Sequence, residues 1–285
     1  MPTRRLFLGA CAGLTLAPAL ASVPRRPVRV GLTPIFLEDQ HGLLADWRAY
    51  MEAKLQQPVE FVQRNSYRET MDLLRLEQID FAWICDYPFV YLRKQVRLLA
   101  VPLFESRPYY RAYLIVSARM PRVTSLLDLR NQVFAYADPY SNTGYLTPRY
   151  QLHQLGEDPG KFFKRTFFTY SHLNLIEAVA DGLADGGSVD SYVWDSLGKI
   201  KADIIHRTRI VNQSPEYGFP PFVAHHAVPR ESFLSMQKML LTMAEDTAGK
   251  ALLKRLNLDG FIVGDARNYE LVARMMREFG EEWRT

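Results

Sequence analysis

The stretch Ala137-Asp138-Pro139-Tyr140-Ser141-Asn142-Thr143-Gly144-Tyr145-Leu146 reads as the end of a strand, a turn forced by Asp-Pro, and a helix opened by a Ser-Asn-Thr-Gly cluster. Such a strand–turn–helix junction is the repeating unit of a parallel α/β sheet, and the same alternation extends in both directions. Upstream, strands are expected at Val28–Leu32, Val59–Gln63, Phe81–Cys85 and Leu98–Phe104, with helices at Gly42–Leu55, Tyr67–Leu76 and Tyr87–Lys94 between them. A longer strand at Tyr109–Ser117 follows, and the alternation restarts with helical Ser125–Leu129 and a strand at Val133–Ala137. Beyond the junction come strands at Phe162–Thr169 and Gly186–Val189, and helices at Leu173–Asp181 and Tyr192–Lys199. Ile210–Gln213 and Phe219–Val228 are expected to return to the first sheet, followed by helices at Arg230–Thr247 and Tyr269–Glu282. The chain thus reads as two α/β lobes, one from 25–117 with 213–285 and one from 118–212, joined by two crossings near residues 118 and 212. Lobes joined in this way hinge, and the cleft between them collects the strand ends where ligands bind. Pro148 lies inside the helix expected from Ser141, where it removes an internal hydrogen bond.

Composition bounds the rest. With 285 residues, 48% hydrophobic and 23% charged, the chain has ample core material for two compact units. No run of five like charges offers a nucleic-acid arm. At the N-terminus, Thr3-Arg4-Arg5-Leu6-Phe7-Leu8 precedes an apolar stretch to Leu20, and Ala19-Leu20-Ala21 supplies the small residues of a cleavage site. This is the pattern of an export signal of twin-arginine type, although a Sec signal also carries basic residues there. The apolar stretch is about 15 residues, short of the roughly 20 that span a bilayer. Leu8-Gly9-Ala10-Cys11 matches a lipoprotein box but follows Arg5 too closely for its apolar region. Removal of residues 1–21 as a signal peptide takes away two arginines and one cysteine, so the net charge falls from +4 to +2 and Cys85 is the remaining thiol. The expected location is the periplasm.

Three junctions carry candidate chemistry. At Ser141–Gly144, backbone N–H groups, hydroxyls and the positive helix end converge as in an anion site, while an ordinary N-cap uses the same residues. At Ser171-His172, the serine caps and the imidazole is placed to donate to an oxyanion; a lone histidine is also commonly a satisfied structural residue. At Asp190, a carboxylate follows a glycine-rich strand. It either caps the next helix or accepts a proton carried by the ligand, repelling fully ionised sulfate. From the first lobe, Cys85, Asp86 and Tyr87 stand at a strand end, with Tyr87 able to donate its hydroxyl across the cleft and Cys85 either apolar filler or a soft-metal ligand. Thr33-Pro34-Ile35-Phe36 is expected to line the same cleft. Adjacent His225-His226 face opposite sides of a strand and make no shared metal site. No nucleophile elbow, zincin motif, Walker loop or zinc-spaced cysteine pair is present, and no catalytic residue, metal or cofactor is expected.

Taken in order, Val30-Gly31-Leu32-Thr33-Pro34, Asp80-Phe81-Ala82-Trp83, Tyr110 to Val116, Asp138-Pro139 to Thr147-Pro148, Ala184-Asp185-Gly186-Gly187, Ser214-Pro215-Glu216 and Phe219-Pro220-Pro221 resemble the periplasmic phosphonate/phosphite/phosphate substrate-binding proteins of ABC transporters. The resemblance runs from about Val28 to Phe222. It implies an α/β, two-lobed type II periplasmic binding protein fold with a hinge of two crossover strands. It further implies that Ser141, Asn142, Thr143 and Gly144 receive an oxyanion, that His172 contacts it, that Tyr87 closes from the other lobe, and that Asp190 reads a proton or a substituent. The sequence departs from that family at Asn142, where a hydroxyl residue is usual, and at Cys85-Asp86, where a Gly-Pro-like turn is usual. Asp86 beside the pocket opposes a dianion, and Cys85 leaves room for another solute.

The expected function is capture of a small phosphorus oxyanion in the interlobe cleft for ABC transport, by a monomer whose partner is a transporter permease. The alternative is a receptor for a membrane sensor kinase, with arsenite held through Cys85. An exported enzyme is the alternative of another class. Neither nucleic acid nor a cofactor enters any of these readings.

Overall fold

The computed structural model describes residues 26–34 and 41–279. The expected leader and Phe36 lie outside these residues. The first run comprises β1 (Val28–Leu32), α1 (His41–Leu55), β2 (Val59–Gln63), α2 (Tyr67–Arg75), β3 (Phe81–Trp83), α3 (Asp86–Tyr91) and β4 (Val96–Leu103). Helix α1 buries Leu43, Leu44, Trp47, Tyr50 and Met51, the face dictated by a 3.6-residue period. Helix α2 starts where the Ser66 side chain accepts the Glu69 N–H, and it buries Tyr67, Thr70, Met71 and Leu74.

A short ribbon follows. β5 (Tyr109–Tyr110) pairs with a later strand, and β6 (Ala112–Ser117) leads into β7 (Val133–Tyr136), a π-helical turn at Asn142–Leu146 and α4 (Thr147–Gln154). Then come β8 (Arg165–Phe168), α5 (His172–Ala180), β9 (Gly186–Asp190), α6 (Ser191–Ile200), α7 (Ala202–His206) and β10 (Thr208–Gln213). The chain returns through β11 (Tyr217–Gly218), the partner of β5, to β12 (Phe222–His225), α8 (Arg230–Leu241), α9 (Thr247–Leu256), β13 (Gly260–Ile262) and α10 (Glu270–Glu278).

One sheet runs β13-β4-β12-β3-β1-β2 and the other β10-β6-β9-β7-β8. In each, the strands that carry βαβ crossovers are parallel (β2, β1 and β3; β8, β7 and β9), while strands passing between the sheets pair antiparallel. The first sheet packs around Trp47, Trp83 and Phe222, with Trp83 stacked on Phe222 at 5.4 Å. The second has a core around Phe134, Tyr136, Leu129 and Phe163.

Several expected elements change. The strand expected over Tyr109–Ser117 breaks at Arg111, and Ala112–Ser117 is bonded within the second sheet, to β9 and β10. Ile210–Gln213 belongs to β10 and stays in that sheet too. The first crossing therefore lies at Arg111 rather than near residue 118, while the second, between Gln213 and Tyr217, falls just after the expected position at 212. An apolar strand pattern marks burial on a sheet but not which sheet each half joins. The Arg111 guanidinium pins the two crossings together, donating to Ser214 O at 2.7 Å and Glu216 Oε1 at 3.1 Å. The helix expected over Arg230–Thr247 ends at Leu241, and α9 starts anew where the Asp246 side chain accepts the Gly249 N–H. Pro148 falls at the second residue of α4, because the π-turn precedes the helix proper; its missing N–H has no helical partner there.

Candidate ligand-binding cleft

Five strand ends and the β5–β11 ribbon converge between the sheets. After β7, Asp138 accepts the Tyr140 N–H at 2.8 Å and, from across the cleft, the Tyr67 N–H at 3.1 Å. Ser141 caps the π-turn, its hydroxyl accepting the Gly144 N–H at 3.0 Å. Gly144 cannot be larger: a Cβ there would lie 2.4 Å from that of Ala137 and 3.0 Å from the His172 ring. Ser141, Asn142, Thr143 and Gly144 are all buried, and the Thr143 hydroxyl has no hydrogen-bond partner among the described residues. A buried unpaired hydroxyl is costly, and here it sits at a helix start built to receive an acceptor.

His172 opens α5 with its Nε2 3.4 Å from Ser141 Oγ, while its Nδ1 faces the Asp190 N–H at 3.4 Å. That main-chain donor requires Nδ1 to be the acceptor, so the ring proton is assigned to Nε2 and points toward Ser141. Burial pushes the imidazole down to about 3, so it is neutral at pH 7. Asp190 ends β9 and caps α6 by accepting the Val193 N–H at 3.3 Å. Burial, with a lesser contribution from Asp86, pushes its carboxyl up to about 8. At pH 7 it is a protonated acid, a donor rather than a charge.

The facing wall is Cys85-Asp86-Tyr87 at the start of α3. Asp86 is fully buried. Its Oδ1 accepts the Tyr110 hydroxyl at 2.8 Å, the Tyr87 N–H at 2.9 Å and the Cys85 thiol at 3.0 Å, and its Oδ2 accepts the Asn142 amide at 2.8 Å. Burial raises this carboxyl to about 6 against the lowering effect of those four donors. The Thr147 hydroxyl lies 3.2 Å from Asn142 Oδ1, orienting the amide, and 3.1 Å from the Tyr217 hydroxyl. Burial first, then Asp86, hold the Cys85 thiol protonated. Burial likewise holds the Tyr67 phenol protonated, with Cys85, Asp138, Asp190 and Asp86 adding to the effect.

Of the expected site residues, Ser141, Asn142, Thr143, Gly144, His172, Asp190 and Cys85 come together. Tyr87 is adjacent and buried: its ring lies edge-on to Tyr140 at 5.8 Å, and its N–H donates to Asp86. Tyr67, Tyr110, Thr147 and Tyr217 were not anticipated. Tyr67 follows a strand and a Ser66 cap, the same signal that singled out His172. Tyr110 and Tyr217 lie on the two crossing segments, and their place depends on the β5–β11 pairing. A groove of about 470 Å³ between the lobes, lined by Pro34, Asn65, Ser66, Glu69 and Thr169–Ser171 with Asn174, opens beside the cluster. Among the described residues there is no group of three or more His, Cys, Asp or Glu side chains arranged to hold a metal ion, and no helix is long and apolar enough to cross a membrane.

The family model described as "ABC transporter, phosphonate, periplasmic substrate-binding protein" matches residues 30–269. The phosphonates-binding periplasmic protein of Escherichia coli (strain K12) is 24% identical over 251 residues, covering 85% of this chain and 73% of that protein. The phosphate-import protein PhnD of Mycolicibacterium smegmatis is 24% identical over 276 residues, covering 92% of this chain and 84% of that protein. The structure of PhnD1 from Prochlorococcus marinus in complex with methylphosphonate superposes with a TM-score of 0.81 at 19% identity, over 89% of this chain and 98% of that one.

Proposed function

Because this chain belongs to the family of periplasmic phosphonate substrate-binding proteins of ABC transporters, we propose that its interlobe cleft captures a small phosphorus oxyanion (phosphonate, phosphite or phosphate) for delivery to a membrane permease. The observation that carries this reading is the unpartnered, buried Thr143 hydroxyl at a helix start shared with Ser141, Asn142 and Gly144. One oxyanion oxygen takes the Thr143 hydroxyl at the start of the turn, where the helix dipole favours negative charge. A second takes the Nε2–H of neutral His172, displacing its contact with Ser141. Asp190, carrying its proton, donates to a third. Tyr67, held as a phenol, supplies a donor from the other lobe. Closure is favoured because donors from both lobes meet the same ligand only when the lobes are together. Residues 1–21 are read as the twin-arginine-type leader that exports the protein, which then acts as a monomer.

A thermal-shift panel tests this with methylphosphonate, aminoethylphosphonate, phosphite, phosphate, sulfate and arsenite. A true ligand at 100 times its Kd adds about 2.7 kcal/mol to stability. The expected result is stabilisation by one or more phosphorus oxyanions; stabilisation by none of them overturns the reading. The sensor-kinase alternative with arsenite draws on Cys85, the free thiol of the cleft. That thiol is protonated and bonded to Asp86, which weighs against soft-ligand binding. Arsenite stabilisation that disappears in Cys85→Ser would reverse the order of the two readings.

A further inference from the structure

The donors of the cleft already serve an acceptor belonging to the protein. The Tyr110 hydroxyl and the Asn142 amide, which stand where an oxyanion would be received, both end on Asp86. The groups facing that carboxylate are Cys85 and Tyr87 from its own junction, Tyr110 from β5, Asn142 from the π-turn, Tyr217 from β11, Tyr67 from α2, Tyr269 ahead of α10 and Asp190 from the β9–α6 junction. None of these is a cation. A fully ionised oxyanion entering beside Asp86 meets a negative charge with no positive group among these neighbours to offset it, in a site too buried for solvent to screen it.

We propose that Asp86 is the specificity-determining residue of the cleft, admitting a phosphorus oxyanion only together with a proton shared between its carboxylate and a ligand oxygen, and rejecting oxyanions too weakly basic to hold one. This rests on the reading of the cleft as a phosphorus-oxyanion site. A monoanion brings the proton as its own P–OH, which donates to Asp86. A dianion binds with uptake of one proton from solvent, and no bond to phosphorus forms or breaks. The discriminating role expected of Asp190 passes to Asp86, because the carboxyl of Asp190 is already neutral at pH 7 while that of Asp86, stabilised by four donors, is ionised. The oxyanion then occupies the helix start, with the Thr143 hydroxyl as its first donor.

Isothermal titration of the purified protein with methylphosphonate at pH 8.5, in two buffers of different ionisation enthalpy, counts the protons taken up per ligand bound. At this pH Asp190, whose carboxyl lies at about 8, also regains most of a proton when it donates to the ligand, so the expected count is between one and two for the wild type, about one for Asp190→Asn, and lower by about one in Asp86→Asn than in the wild type. Sulfate is expected to bind Asp86→Asn at least tenfold more tightly than the wild type, and Asp190→Asn is expected to go on rejecting it. Methylphosphonate binding by Asp190→Asn without proton uptake overturns the proposal, as does sulfate admitted by Asp190→Asn rather than Asp86→Asn. If circular dichroism finds Asp86→Asn unfolded, the proton count and the sulfate titration of Asp190→Asn decide it without that variant. Failure of all three proteins to bind methylphosphonate, phosphite or phosphate refutes the proposed function itself, an outcome distinct from binding without a proton.

Discussion

Asp190 and His172 sit side by side in the cleft and are shifted in opposite directions by the same cause, burial. Each therefore leaves a different mark on stability as pH changes. Asp190 binds its proton more tightly in the folded chain, so the stability it contributes is full below its ordinary carboxylate range and is lost as pH rises toward about 8. His172 resists protonation when folded, so its contribution is full above the ordinary imidazole value of about 6.5 and is lost as pH falls toward about 3. Above pH 7 the change is chiefly that of Asp190, because Asp86 and Asp195, both raised to about 6, have largely ionised, and the histidines of the unfolded chain have largely lost their protons. The stability of the ligand-free protein is therefore expected to fall from pH 7 to 8 by up to about 1.4 kcal/mol per pH unit, seen as a falling melting temperature, and Asp190→Asn is expected to flatten it. A wild-type curve that rises from pH 7 to 8 would refute the assignment of a protonated Asp190.

Among the elements, the π-turn at Asn142–Leu146 matters most, because it sets both the donors and the start of α4. Its geometry depends on two small residues. Ser141→Ala removes the cap on the Gly144 N–H and is expected to cost about 1 kcal/mol, with weakened ligand binding beyond that loss. Gly144→Ala forces a methyl group into the Cβ of Ala137 and against His172; overpacking of this kind costs about 1–3 kcal/mol. Chemical denaturation of both variants measures the stability terms. A fully stable Gly144→Ala that binds methylphosphonate like the wild type would contradict the close packing of turn, strand and imidazole. This junction was largely legible in the chain itself, since Asp-Pro and Ser-Asn-Thr-Gly are local turn and cap signals. That it winds as a π-turn, moving Pro148 to a harmless helix-start position, was not legible, because it depends on packing against β9, where the Ser188 hydroxyl donates to Thr143 O at 2.6 Å.

For the molecule as a whole, polar contacts join the lobes at the cleft, among them the Tyr67 N–H to Asp138 and the Asn142 amide to Asp86, and farther out at Gln154 to Glu278 and Tyr192 to the Leu256 carbonyl. The crossings are braced by Arg107 and Arg111 on Glu216. Asp138→Ala removes the acceptor for the Tyr67 N–H, together with that for the Tyr140 N–H in the turn before Ser141. It is expected to enlarge the ligand-free radius of gyration in small-angle X-ray scattering, with wild-type compactness restored at saturating methylphosphonate and a several-fold faster ligand off-rate. An unchanged ligand-free radius would remove Asp138 from the closure mechanism.

The order of strands and helices, the helix faces, and the junctions at Ser141, His172 and Asp190 follow from signals spanning a few residues, namely apolar period, caps and turn formers, and these were readable along the chain. The meeting of Asp86 with Tyr110 and Asn142, the assignment of Ala112–Ser117 to the second sheet, and the neutrality of Asp190 came from the folded arrangement. Those depend on pairing between segments far apart in sequence and on the desolvation that pairing imposes. No local pattern encodes either, because strand partners and burial are properties of the packed whole.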